Sequence, residues 1–213
     1  MVTATSILAS YERFEASTAD LRERFNAPLP EVEPCSTSCP PVHDECQAML
    51  VVLLQNKWAE FCKELLRLSI EGLGPTLNGT ALMPITLPPE VISFDKHFKN
   101  AYDETSKEMP GDSIHPVWHN PEYVIRVSTK MNPTNHDAIR AGLGGSMETK
   151  NLNVVRNYLI HGTNGKDYER LLNRVGARGF SVPQFLAYQP VGMIPIFESW
   201  IDDLVAAAQN AAA

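Results

Sequence analysis

The sequence predicts an all-α protein. Three observations carry that expectation. Apolar residues recur at helical spacing in several long stretches, prolines and glycines cluster between those stretches, and strand signals are weak throughout. Residues 124–128 have strand-forming composition, but their flanks favour helix. The economical architecture is a helical bundle: four main helices around one core, with a helical insertion. A chain of 213 residues suits a single domain spanning 1–213. Residues 74–146 form the insertion, and 147–210 hold two of the core helices. An apolar content of 44% is ordinary for a protein with a real core.

The elements follow in order. Residues 5–26 predict an amphipathic helix, with Ile7, Leu8, Tyr11, Phe14, Leu21 and Phe25 on one side. Residues 27–41 hold Pro28, Pro30, Pro34, Pro40 and Pro41, too many for a helix interior, so they predict a linker. Residues 42–72 predict the longest helix. Its apolar stripe covers much of the circumference around Met49 to Leu54, as in a central helix or one that also faces a partner subunit. Residues 74–89 predict a connection and 90–107 a helix. Asn120-Pro121 opens another helix, with Pro at its first position. Residues 135–142 predict a short helix, and Gly144-Gly145-Ser146 a cap for the next, which spans 147–160. Residues 166–175 predict a short charged helix, 180–190 an irregular stretch, and 192–209 the last helix. The alanine tail after Asn210 is expected to fray.

Net charge is −7, which taken alone disfavours a nucleic-acid ligand. Its distribution argues otherwise. Between Arg126 and Arg178 lie nine basic and four acidic residues, so a basic segment sits inside an acidic chain. That is the footprint of a phosphate-binding face; solvated helix faces are the plainer account. No apolar run is long enough to span a bilayer. Charges at Glu12, Arg13, Glu15 and Asp20 argue against a signal peptide. The expectation is a cytoplasmic protein with reduced cysteines and no membrane partner.

The stretch richest in chemistry is Val155-Arg156-Asn157-Tyr158-Leu159-Ile160-His161-Gly162. Arginine offers a forked set of donors that fits a phosphate. Histidine moves protons in both directions near neutral pH. Together they suit metal-free RNA cleavage, with no cofactor required. His161 acts as base toward the 2′-hydroxyl or as acid toward the leaving 5′-oxygen, Arg156 steadies charge on phosphorus, and Asn157 orients the histidine or donates to phosphate. Asn157 and His161 lie about 40° apart on an ideal helix, but Arg156 and His161 about 140°. They converge only if the helix ends near His161, as Gly162 permits, or if a second subunit completes the site. Tyr158 is a candidate to stack on a base, and Lys150, Lys166 and Arg170 are candidates to contact RNA phosphates. An Arg and a His at this spacing also occur by chance on many helices.

The stretch resembles the R-x4-6-H motif of the HEPN superfamily, in which a polar residue often follows the Arg and a Gly the His. The long helix with Asn56-Lys57-Trp58-Ala59-Glu60-Phe61 looks like the second core helix of its RiboL-PSP-like branch. The resemblance implies a metal-independent endoribonuclease that leaves a 2′,3′-cyclic phosphate. It implies a homodimer with a composite site, RNA as the partner, and a toxin or anti-phage role with an antitoxin or defence-system partner. The carry-over is limited to Arg156, Asn157 and His161. Thr163 stands where one toxin branch has a tyrosine, so silencing by modification of that residue is not expected.

Two competitors stand beside the enzyme: a non-catalytic HEPN-like module that binds RNA or protein, and a helical adaptor whose Arg and His are surface residues. Elsewhere, Cys35, Cys39, His43 and Cys46 offer three thiolates and an imidazole to zinc, though their spacing fits no common finger and unliganded thiols are the plainer account. His115, Trp118 and His119 lie near a turn; a second catalytic histidine is conceivable there, but solvent-exposed loop histidines are the commoner case. Glu60 and Glu64 point either at a cleft or at water. Cys62 looks like core, and His97 and His136 have no evident partner.

Overall fold

The computed structural model describes residues 6–27, 42–89, 93–109, 117–146, 148–162, 165–190 and 193–213. Among these residues the protein is all-helical, with α1 Ile7–Asn26, α2 Val42–Glu71, α3 Phe94–Glu108, α4 Pro121–Met131, α5 His136–Gly145, α6 Thr149–His161, α7 Gly165–Val175, α8 Val182–Ala187 and α9 Ile196–Ala212. Among the same residues, no helix is long and apolar enough to cross a membrane.

The central element is α2. Val51, Leu54, Trp58, Leu65 and Leu68 are fully buried along it, and α1, α4, α6, α8 and α9 all pack against it. Phe14 of α1 lies 5.1 Å from Phe61 and 5.8 Å from Trp58, ring centre to ring centre. Phe25 meets Phe197 of α9 at 4.9 Å. These rings tie α1, α2 and α9 into one core, each pair adding roughly 1 kcal/mol beyond area burial.

The segment between α2 and α6 is part of that core. Val124, Val127, Ile139 and Leu143 are fully buried, and α5 makes its most extensive contact with α9. Asn120 caps α4 as its sequence suggests: the side chain accepts from the Glu122 N–H at 3.0 Å, and Pro121 follows at the first helical position.

Three local expectations are corrected. Gly144 and Gly145 do not cap α6; they complete α5, and Ser146 is its C-cap. The corner is held from outside by Asp203 of α9, whose carboxylate accepts from Ser146 Oγ at 2.7 Å and the Glu148 N–H at 3.1 Å. The stretch 180–190 contains α8, started by a capping box in which the Ser181 N–H donates to Gln184 Oε1 at 2.9 Å. The alanine tail is helical to Ala212, with Ala211 and Ala212 fully buried. The Leu77 N–H donates to Ala212 O at 2.8 Å, which anchors an end that composition alone leaves free.

Candidate active site

The site is built on α6. Leu152 and Val155 are buried and seat the helix on α2 and α7. Lys150, Asn153, Asn157 and His161 then share the opposite face, within about 80° of arc. The helix stops at His161 because Gly162 turns left-handed (φ 58°), and its N–H closes the last turn on Tyr158 O at 3.1 Å.

Arg156 and His161 meet within one chain. Arg156 Nη1 donates to Asn157 Oδ1 at 3.0 Å and lies 3.4 Å from His161 Nε2. The geometry of a helix explains how. Asn157 sits about 100° around from Arg156, and His161 about 140°. The asparagine therefore lies angularly between them, and the long arginine side chain follows it toward the histidine. Since guanidinium only donates, the contact with Nε2 is a hydrogen bond for the tautomer whose proton is on Nδ1. His161 is exposed, while Arg156 and Asn157 are half-buried. The cluster is anchored on one side and open on the other.

Two residues that the motif does not contain belong to this neighbourhood. Gln55 of α2 is 3% exposed and donates from Nε2 to Asn153 Oδ1 at 3.2 Å, leaving the Asn153 amide nitrogen to donate elsewhere. A polar residue beside the fully buried Leu54 on an apolar helix was the available signal. The other is His119. It is half-buried rather than exposed, because Trp118 beside it packs against Phe98, Tyr102 and Tyr123 at 5.5, 5.7 and 5.3 Å. Burial, and then the positive charge of Arg156, lowers its pKa to about 4.

His119 opens onto a cleft of about 710 Å³ between α4, the α5–α6 corner and the end of α7, lined also by Arg126, Lys150, Asn151, Asn153 and Arg174. Arg126 is paired with Glu122 at 2.8 Å. Arg174 Nη2 donates to Asn151 Oδ1, and the Asn151 amide donates to Glu148 at 2.6 Å.

The remaining sequence candidates separate. One face of the Tyr158 ring is stacked on Tyr168 at 4.5 Å, so a neighbour in the chain occupies a position expected for a base. Arg170 is paired with Asp167 at 3.1 Å; Lys166 is exposed. Lys130, in the same basic segment, is paired with Glu104 and Glu108 of α3. Cys35, Cys39, His115 and the His43 side chain lie outside the described residues, and Cys46 is exposed. Among the described residues no group of three His, Cys, Asp or Glu side chains could hold a metal ion. Cys62 is fully buried, and burial pushes its thiol pKa well up. Glu60 pairs with Lys57, and Glu64 accepts from Ser10 and Arg13, in a groove of about 340 Å³ between α1 and α2. His136 Nδ1 lies 2.9 Å from Ser128 Oγ.

The state of His119 makes stability pH-dependent. Unfolded, the imidazole takes a proton near pH 6.5; folded, it stays neutral down to about pH 4. The unfolded chain therefore binds the extra proton across this window, and stability falls as pH falls. Between pH 7 and pH 4 the parent is expected to lose on the order of 2 kcal/mol more than His119→Asn. Urea unfolding at a series of pH values measures it, and parallel losses in the two proteins would refute it.

No family model, no curated protein and no solved structure matches this chain. The functional reading therefore rests on the residues and their geometry.

Proposed function

We propose that this protein is a metal-independent endoribonuclease of the HEPN kind, with Arg156, Asn157 and His161 at its centre. The observation that carries the reading is the 3.4 Å approach of Arg156 Nη1 to His161 Nε2 at an open helix end. It sets a phosphate-binding cation beside a proton carrier. In the proposed step the ribose 2′-oxygen loses its proton and attacks the adjacent phosphorus. The bond from phosphorus to the 5′-oxygen breaks, and that oxygen takes up a proton. His161 serves as the base or as the acid of this exchange. Arg156 donates to the phosphoryl oxygens as charge builds on them. Asn157 holds the guanidinium in place until a phosphate competes for it. The products are a 2′,3′-cyclic phosphate and a 5′-hydroxyl, and DNA is inert for want of the 2′-hydroxyl.

The test is an RNA cleavage assay with chelator present, followed by end-group analysis. Cyclic phosphate ends that form in chelator and disappear in His161→Ala support the reading. RNA left intact by folded protein rejects it. The toxin or defence role, with a cognate partner protein, is the part of the proposal carried by family resemblance alone.

The same reading includes a homodimer with two motifs sharing one cleft. Ile160, beside His161, is 44% exposed, and Met49 and Leu53 of α2 are 54% and 37% exposed, exposed apolar side chains of the kind a second copy would cover. Light scattering at micromolar concentration is expected to give the dimer mass, and Ile160→Glu to shift it toward the monomer. A monomeric parent would remove the dimer from the proposal.

A further inference from the structure

We propose that the cleft between α4 and α6 is a strand-binding subsite. It would seat the single-stranded RNA that flanks the scissile linkage, with phosphate on Lys150 and Arg174 and a nucleoside against Asn153 and His119. This rests on the ribonuclease reading and says where its substrate lies.

Continuity with the reactive pair comes first. Lys150, Asn153, Asn157 and His161 follow one another at spacings of three, four and four along α6. They make a polar track about 16 Å long. Asn153 and Lys150 also line the cleft. A strand whose linkage sits at His161 therefore continues into the cleft along the same helix face. His119, which lines the cleft, lies near enough to Arg156 for that cation to add to the lowering of its pKa.

Charge comes second. The cleft walls carry Arg126, Lys150 and Arg174 against Glu122 and Glu148. Arg126 and Glu122 neutralise each other. Glu148 is engaged by the neutral amide of Asn151, and Arg174 donates to the same amide's oxygen. Among the described residues neither Lys150 nor Arg174 has a carboxylate partner. Glu148 keeps its negative charge, so the walls carry a net single positive charge, and Lys150 and Arg174 are the cations free of a carboxylate that present it to an anion in a chain that is acidic overall. Phosphate contacts of this kind position a strand without reading its sequence.

Hydrogen-bonding capacity comes third. Gln55 occupies the Asn153 oxygen and leaves its amide nitrogen for an acceptor. His119 is anchored through Trp118 and presents a neutral ring, which meets a nucleoside without repelling the neighbouring cations. The amide, the neutral imidazole and the paired cations match a nucleotide better than they match an apolar ligand.

The probe is a short fluorescein-labelled single-stranded oligoribonucleotide with every 2′-hydroxyl methylated, so that it binds without being cut. Anisotropy titrations at several salt concentrations compare the parent with Lys150→Glu, Arg174→Glu and, as a matched charge control on α1, Arg24→Glu. All three positions are exposed, so folding should survive. The expected result is about tenfold weaker binding for each cleft reversal, a salt slope reduced by about one, and Arg24→Glu close to the parent. If Lys150→Glu and Arg174→Glu bind like the parent, or no worse than Arg24→Glu, the subsite is wrong. Cleavage of unmodified RNA separates the two failures. A parent that cuts RNA while its cleft variants cut and bind unchanged loses only the subsite; a folded parent that neither binds nor cuts RNA loses both proposals.

Discussion

His161→Ala is expected to slow RNA cleavage by about 10²–10⁴-fold, the range for removing a positioned acid or base. Arg156→Ala is expected to cost about 10²–10³-fold, as for a lost donor to developing charge. Arg156→Lys should recover little, because a compact ammonium lacks the planar fork that aims donors from separate nitrogens at Asn157 and at a phosphate oxygen. The double variant should be scarcely worse than His161→Ala, since groups acting on one transition state are strongly non-additive. Asn157→Ala tests the angular argument. Without the Oδ1 that holds Nη1 at 3.0 Å, the guanidinium is released from the path toward His161, and a loss of roughly tenfold is expected. None of these side chains is fully buried, so melting temperatures should barely move. Full activity in either His161→Ala or Arg156→Ala would remove that residue from the proposed active site; RNA left intact by the folded parent would end the enzyme reading and leave a binding module.

Much of this site was legible because helix geometry is periodic. Gly162 marked the end of α6, and the spacing of Asn157 and His161 placed them on one face. The meeting of Arg156 with His161 was less accessible. On an ideal cylinder the two positions diverge, and only the length of arginine and the intervening Asn157 close the gap. His119 and Gln55 were harder still. Their roles come from contacts far apart in sequence: Trp118 against rings of α3 and α4, and Gln55 against Asn153. Local pattern is silent on such pairings. The misplaced cap at Gly144 has the same origin. A glycine pair is a helix breaker by propensity, but α5 is held by its packing on α9, and tertiary burial outweighs about 1 kcal/mol per glycine.

That packing supplies the largest expected effect on stability. A Cβ on Gly142 would stand 2.2 Å from the Ala211 nitrogen, 2.6 Å from its Cα and 2.8 Å from its Cβ. The obstacle is the backbone of α9, not a flexible side chain, so the two helices must separate. Gly142→Ala gains about 1 kcal/mol of helix propensity but pays an overpacking cost of about 3 kcal/mol. The expected net loss is about 2 kcal/mol, or a melting temperature lower by roughly 4–8 °C. Gly144→Ala, two residues on, meets only Ile125 Cδ1 at 3.9 Å. It should keep the propensity gain and stabilise by up to about 1 kcal/mol. The opposite signs separate close packing from helix-forming tendency. A chain ending at residue 210 adds a cycle: removing Ala211 should abolish most of the Gly142→Ala penalty, a coupling that independent sites do not show. Equal effects of Gly142→Ala and Gly144→Ala in calorimetry would refute the backbone contact. The same contact bears on the reactive end of α6, because the α5–α6 corner is fastened to α9 through Asp203. Loosening α5 from α9 therefore moves the start of the helix that carries Arg156 and His161.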